Sequence, residues 1–253
     1  MKETNLRNPK GISCHLDRRG CQSNLTVILP TFNEAGTIRK LLDYIAMHYK
    51  GASVIVADDG SSDGTKEIVK RKASSCRKIR FLDRKAMHLR RGLTASIVSG
   101  ILASRTKFAL VMDADMQHPP EKIIEIKKEL DAGYDLVVAT RSDVTEWALY
   151  RKIISKVLIE TGYLILYASR KETCDDIFSG YFGVDAGLFK KVVSHNGERF
   201  VMDGYKVLFD FLKCMRKDSV RIANVPYVFH SRKFGSSKAG MRQGLALFRS
   251  FFS

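Results

Sequence analysis

Apolar and polar positions follow two alternating rhythms along this chain. A short apolar run from Leu25 to Leu29 meets Pro30, and Asn33-Glu34 then open a stretch with Ile38, Leu41, Leu42 and Ile45 at helical spacing. The couplet recurs: Val54-Ile55-Val56 precedes a turn-rich stretch and a helix near 63–73, Ile79 to Leu82 a helix near 92–103, and Phe108 to Met112 a helix near 120–131, before Leu136-Val137-Val138. Strands alternating with helices predict βαβ units: an α/β chain with a Rossmann-like, mostly parallel sheet and helices on both faces. Residues 1–23 are polar and aperiodic, and read as a flexible basic arm ahead of that domain.

In such sheets ligands sit beyond the carboxyl ends of the strands, so the polar residues after each apolar run carry the candidate chemistry. The first run ends in Pro30-Thr31-Phe32-Asn33-Glu34, the second in Asp58-Asp59-Gly60-Ser61-Ser62-Asp63-Gly64-Thr65, the fourth in Asp113-Ala114-Asp115-Met116-Gln117-His118-Pro119-Pro120. Three oxygen side chains at alternate positions, Asp113, Asp115 and Gln117, are a hard-oxygen set suited to Mg²⁺ or Mn²⁺. A turn and helix-cap cluster explains the same residues without any ligand, and Ser61, Ser62 and Asp63 read mostly that way. No G-x-x-x-x-G-K-[ST] or G-x-G-x-x-G occurs, which removes the usual warrant for a P-loop ATPase or a classical NAD-binding fold.

Charge sharpens the picture. Among 253 residues, 43 Lys and Arg face 27 Asp and Glu, a formal net charge of +16, so polyanions are the expected partners: nucleic acid, phosphorylated molecules or an anionic membrane. The carboxylates nonetheless gather at one rim, which argues for a cation joining them and against nucleic acid in that cleft. Cys14, Cys21, Cys76, Cys174 and Cys214 are odd in number and scattered, supporting neither a disulfide framework nor a zinc site. No uncharged apolar run reaches the length of a membrane span, and no apolar stretch follows the basic N-terminus, so the chain reads as neither spanning a membrane nor carrying a secretory signal. Ile153 to Ala168 is strongly apolar, and two readings stay open for it: an ordinary core helix, or one lying in a membrane interface.

The ordered motifs P-T-F-N-E, D-D-G-S-S-D-G-T, R-R-G-L-T-A-S, D-A-D-M-Q-H-P-P, S-G-Y and V-P-Y-x-F-x-x-R-x-x-G-x-S-K resemble the inverting family 2 glycosyltransferases of the dolichol-phosphate mannosyltransferase type. The likeness runs from about Leu25 to about Phe248. It implies a GT-A fold, with a catalytic domain over 24–238 and a basic amphipathic, membrane-proximal tail over 239–253. Pro30, Glu34, Asp58, Asp59, Arg90, Asp113 and Ala114 fall where the family holds the nucleotide sugar. Asp113, Asp115 and Gln117 match its metal and diphosphate site. Arg141, Arg151 and Ser155 match its acceptor-phosphate ligands, and Arg232 with Lys238 its basic loop on the donor phosphates. Asp115 and Arg232 are the expected catalytic residues. Thr94 stands where a second Gly of G-L-G is usual, and Phe182 where an Arg commonly follows S-G-F.

The resemblance implies transfer of mannose from GDP-mannose to dolichyl or another polyprenyl phosphate, with inversion and with Mg²⁺ or Mn²⁺. It also implies peripheral association with the cytosolic face of a membrane, with small membrane partner subunits, and no nucleic-acid partner. Another nucleotide sugar, UDP-glucose or UDP-GlcNAc, is the alternative donor; a nucleic-acid-binding protein and a non-catalytic nucleotide-sugar-binding subunit are the alternatives of other classes.

Overall fold

Each short apolar run lies in a strand and each helical-period segment in a helix, in a computed structural model that describes residues 24–143, 149–228 and 249–251. The strands are β1 (Leu25–Thr31), β2 (Ser53–Asp58), β3 (Ile79–Asp83), β4 (Phe108–Val111), β5 (Leu136–Asp143), β6 (Phe182–Asp185) and β7 (Ile222–Val228). The helices are α1 (Ile38–His48), α2 (Thr65–Ser75), α3 (Leu93–Ala103), α4 (Ile123–Asp131), α5 (Leu149–Ala168), α6 (Ala186–Asn196) and α7 (Val207–Cys214). The strands form one sheet in the order β3-β2-β1-β4-β6-β5-β7, parallel except for β6, which runs antiparallel to β4 and β5.

Side chains alternate across the sheet, and each face carries its own core. Val27, Leu29, Val54, Val56, Leu110 and Val137 pack with Leu41 and Ile45 of α1, Val69 of α2 and Ile126 of α4. Ile28, Ile55, Val111, Val138 and Val184 face the other way, onto Ile97 and Ile101 of α3, Leu166 of α5, Phe189 of α6 and Phe209 of α7. Close approach of α3 depends on Gly100, where a Cβ would lie 2.4 Å from Cγ2 of Ile28. Pro30 is tolerated inside a central strand for a local reason. Ile28 accepts from the Met112 amide, so Pro30, two residues on, turns its nitrogen to the β4 side, where pairing has already ended.

Two features of topology build one rim. From β1 the chain moves outward to β2 and β3, then returns through α3 to β4 on the other side of β1, leaving a switch point between the ends of β1 and β4. Because β6 is antiparallel, the segment entering it, Asp176 to Tyr181, also reaches that rim. One face of α5 is core and another is not. Leu166 is buried and Gly162 lies against Ile177 and Phe178, whereas Leu164 is 66% and Tyr167 78% exposed. No helix among the described residues is long and apolar enough to cross a membrane. Residues 249–251 pack against α7: Ser250 is buried, its hydroxyl donates to Asp210, its carbonyl accepts from Lys213 at 2.6 Å, and the Phe251 ring lies 5.6 Å from Phe209.

Candidate active site

The loops after β1 and β2 are laced together by side chains. Asp58, fully buried, accepts from the amides of Gly60 and Ser61 at 3.0 and 2.9 Å and from the hydroxyls of Thr31 and Ser61. Ser61 Oγ in turn accepts from the Asn33 amide at 2.8 Å, and the Glu34 amide donates to Thr65 Oγ1 at 2.8 Å. The helix cap expected of Asp63 is a bridge instead: Gly64, with φ +95°, is the capping residue of α2, while Asp63 accepts from Thr65 and from the Ala35 amide. Burial works against its charge, but those hydrogen bonds outweigh it and hold the carboxyl below its usual range. Glu34 therefore sits on a loop fixed from β2, while Pro30 lies near the end of β1 itself.

Asp59 is held by Arg84 and by the Gly92 amide, the latter at 2.8 Å. Arg84 is 1% exposed, and its guanidinium also donates to Ser99 Oγ at 3.1 Å, Ser96 Oγ at 2.7 Å and the carbonyl of Arg90. Arg90, the basic residue matched by motif, instead points outward; its side chain is 61% exposed and lies 3.4 Å from Asp203. The sequence reading missed Arg84 although its rim rule reaches it, since Arg84 directly follows β3. Gly92 is obligatory here, with φ +146° and the Met202 carbonyl 2.1 Å from the place of a Cβ. The amides of Thr94 and Ala95 donate to the carbonyls of Gly204 and Met202, both at 3.1 Å, so the start of α3 is capped by its own fold.

Across the switch point, β4 leads into Asp113, buried Ala114 and buried Asp115. Met116 takes φ +66°, turning the chain so that the Gln117 amide donates back to Asp115 Oδ1 at 3.0 Å. The Asp113 carboxylate is 37% exposed, and Gly180 backs it: a Cβ there would meet both Asp113 oxygens at 3.8 and 3.9 Å. His118 is buried behind this corner rather than placed on the rim. Its Nδ1 accepts from the Asp113 amide at 3.0 Å, which puts the proton of a neutral ring on Nε2, 3.7 Å from Asp113 Oδ2. The ring stacks on Tyr181 at 5.0 Å and meets the edge of Tyr227 at 5.9 Å. Two carboxylates and an amide oxygen are the donor chemistry of a hard divalent cation that shares its shell with water and substrate oxygens.

On the far side of the crevice, Arg141 at the end of β5 meets Asp176 in a bidentate pair, Nε to Oδ2 at 2.8 Å and Nη2 to Oδ1 at 3.0 Å. Burial alone would lower the Arg141 pKa, but the Asp176 carboxylate reverses that and keeps the guanidinium charged. Ser179 supports the turn that follows, its hydroxyl donating to the Ala139 carbonyl at 2.7 Å. Lys206, which the sequence reading also missed, completes this side: its Nζ donates to the Phe178 carbonyl at 3.3 Å and lies 5.0 Å from the Phe178 ring centre and 4.6 Å from that of Tyr205. Ser155 is partly exposed on α5, and Arg151 lies four residues earlier on the same helix, where the structure describes the backbone alone. Arg232 and Lys238 fall outside the described residues; Val228, which precedes them, pairs with Asp143 at the end of β5.

With this geometry in place, comparisons with known proteins identify its kin. The glycosyl transferase family 2 model matches residues 26–195. The dolichol-phosphate mannosyltransferase of Mycosarcoma maydis is 30% identical over 226 residues, covering 84% of this chain and 72% of that protein. That of Pyrococcus furiosus is 31% identical over 220 residues, and this chain spans only 58% of its length. Among solved structures, glucosyl-3-phosphoglycerate synthase from Mycobacterium tuberculosis, crystallised with Mn²⁺, UDP-glucose and glycerol 3-phosphate, superposes with a TM-score of 0.61 at 18% identity, over 98% of this chain and 84% of that one. Mannosyl-3-phosphoglycerate synthase from Rubrobacter xylanophilus gives 0.60 at 16% identity, over 89% and 72%. These likenesses establish the GT-A fold. The chain belongs to glycosyl transferase family 2, among the dolichol-phosphate mannosyltransferases, and is a glycosyltransferase.

Proposed function

We propose that this enzyme transfers mannose from GDP-mannose to the phosphate of dolichol or a related polyprenol, inverting the anomeric carbon. The observation that carries the reading is the pairing of two chemistries on one rim of the sheet: the carboxylate corner of Asp113 and Asp115 just after β4 and the cationic corner of Arg141 and Lys206, in a chain matching dolichol-phosphate mannosyltransferases over more than four-fifths of its length. An oxygen of the acceptor phosphate would attack the anomeric carbon as the bond to the diphosphate breaks, releasing GDP. That phosphate is already anionic near neutral pH, so the protein must position it rather than deprotonate it.

In this reading Arg141, Arg151 and Ser155 orient the acceptor phosphate, and Pro30, Glu34, Asp58 and Asp59 shape the nucleotide side, Asp58 by holding its loop. Arg90 borders that side, and Arg232 with Lys238 meets the donor phosphates. Asp113, Asp115 and Gln117 would hold Mg²⁺ or Mn²⁺, which when bound offsets charge on the departing diphosphate. His118 keeps Asp113 oriented, as a ring nitrogen behind a metal-binding carboxylate does. Metal-stripped enzyme supplied with a short polyprenyl phosphate should leave GDP-mannose intact and regain transfer when Mg²⁺ or Mn²⁺ returns. Turnover within a few-fold of normal in EDTA would sink the metal assignment, and faster use of UDP-glucose or UDP-GlcNAc would replace the donor. Asp113→Ala and Asp115→Ala should each abolish transfer with the fold intact.

The acceptor also places the enzyme at a membrane surface. Val157, Leu164 and Tyr167, all exposed on α5, offer an apolar face for peripheral contact at the cytosolic side, with small membrane subunits as further partners. Leu164→Ser should weaken sedimentation with anionic liposomes while changing stability by less than about 0.5 kcal/mol. Unchanged sedimentation would remove α5 from the contact.

A further inference from the structure

We propose that Lys206 is a phosphoryl-binding residue of this active site, its ammonium held between two aromatic rings beside the Arg141–Asp176 pair and receiving a phosphate oxygen of the substrate. The inference deepens the proposed function and rests on its reading of the crevice as a place where phosphates are handled. Three observations carry it.

The first is a deficit of partners. An ammonium has three donors, and Lys206 uses one, in a 3.3 Å hydrogen bond to the Phe178 carbonyl. It forms no ion pair with any described residue, and its ammonium lies over the faces of Phe178 and Tyr205. The second is the state of its neighbours. Asp176, the carboxylate on this side of the crevice, accepts from Arg141 through both oxygens and from the Phe178 amide at 3.3 Å, so its charge is matched to the guanidinium. Arg141 is therefore answered by Asp176, and Lys206 stands outside that pair. The third is placement: Lys206 precedes α7, in the loop whose carbonyls cap α3, and its ammonium senses Arg141, Asp176 and Asp113 at once.

Protein atoms surround the ammonium although part of the side chain reaches solvent. That burial, followed by the like charge of Arg141, pushes its pKa down to about 8, against the pull of Asp176 and Asp113; near neutral pH it remains mostly protonated. A desolvated cation with unused donors lowers the stability of the protein that keeps it, and an arriving phosphoryl oxygen satisfies those donors and pairs with the ammonium. Two substrates bring that chemistry to this crevice, the acceptor's phosphate monoester and the donor's diphosphate.

Calorimetry on the full chain distinguishes them. GDP with Mn²⁺ present and farnesyl phosphate in EDTA are titrated separately into wild type, Lys206→Met and Lys206→Arg, with melting curves alongside. Lys206→Met keeps the packed stem and removes the charge. It should weaken one of the two ligands by about tenfold or more, the worth of a charge-assisted hydrogen bond, while Lys206→Arg recovers part of the loss and neither variant melts lower by more than a few degrees. A loss for farnesyl phosphate assigns Lys206 to the acceptor, and a loss for GDP to the donor diphosphate. Undiminished binding of both in Lys206→Met overturns the proposal, leaving Lys206 as a cover for the Phe178 ring. Wild type that binds these phosphates through Lys206 yet transfers no sugar would overturn the proposed function and leave this residue's role standing.

Discussion

Arg84 and Lys206 are both cations withdrawn from water at the rim of the same sheet, and their surroundings differ in kind. The guanidinium of Arg84 is consumed by its own protein: Asp59, Ser96, Ser99 and the Arg90 carbonyl take its donors, tying the end of β2 to α3 and to the loop between β3 and α3. Lys206 has one long hydrogen bond and two aromatic faces. A buried charge with four of its five donors in use is framework, and its removal strands its partners. One with donors to spare destabilises the apo protein, and its removal is felt by whatever ligand completes it. Net charge cannot separate the two, because both count as +1 in the same crevice.

The largest effect should follow from attacking the framework. Arg84→Met leaves Asp59 poorly solvated without its cation and should cost about 3–5 kcal/mol in urea unfolding. A stability close to wild type would break the comparison and make Arg84 a binding residue instead. Asp176→Asn tests the intermediate case, a satisfied pair inside the crevice: unfolding free energy should fall by about 2 kcal/mol, as for hydrogen bonds to charged groups, while phosphate ligands bind more tightly because Arg141 is no longer neutralised. Ser99→Ala removes a single acceptor of Arg84 and should cost about 1 kcal/mol, showing whether the network depends on each of its members.

The smallest stability change, and the one of opposite sign, belongs to Lys206→Met, which should lie within about 1 kcal/mol of wild type and on the stabilising side at neutral pH. Its pH dependence sharpens the point. The folded pKa of about 8 lies below the ordinary lysine value of 10.5, so between them the unfolded chain binds more protons than the native one, and stability contributed by this group rises with pH. The advantage of Lys206→Met over wild type should therefore shrink as pH climbs from about 8 to above 10. Melting curves at several pH values would show it, and an advantage that stays constant would mean that the ammonium is not desolvated.

Much of this architecture could be read from the chain. The runs beginning at Leu25, Val54, Ile79, Phe108 and Leu136 are short and apolar, spaced by helices and closed by Pro, Asn, Asp or Gly, so strand positions and the rim they share follow from local propensity and the βαβ rule. The acidic ends at Asp58-Asp59 and Asp113-Ala114-Asp115 stood out because carboxylates are costly together. What the chain did not reveal was which of them had been spent: Asp58 accepts from the Thr31 hydroxyl, a partnership between β1 and β2 that no spacing rule encodes. Lys206 was illegible for a similar reason. A lysine before an apolar helix looks like a solvated cap until β6, running antiparallel, brings Phe178 and Asp176 beside it.

The amino-acid order alone determined the α/β class, the rim where chemistry gathers and the family, since each of these is written in short-range pattern. Tertiary structure decided the rest: that His118 stands behind Asp113 rather than on the rim, that Arg84 and not Arg90 holds Asp59, that Leu166 is core while Leu164 faces outward, and that Lys206 has donors to spare. The physical reason is common to all four. Hydrogen-bond satisfaction and desolvation depend on which atoms meet in space, and residues far apart in the chain meet only once the strand order is fixed.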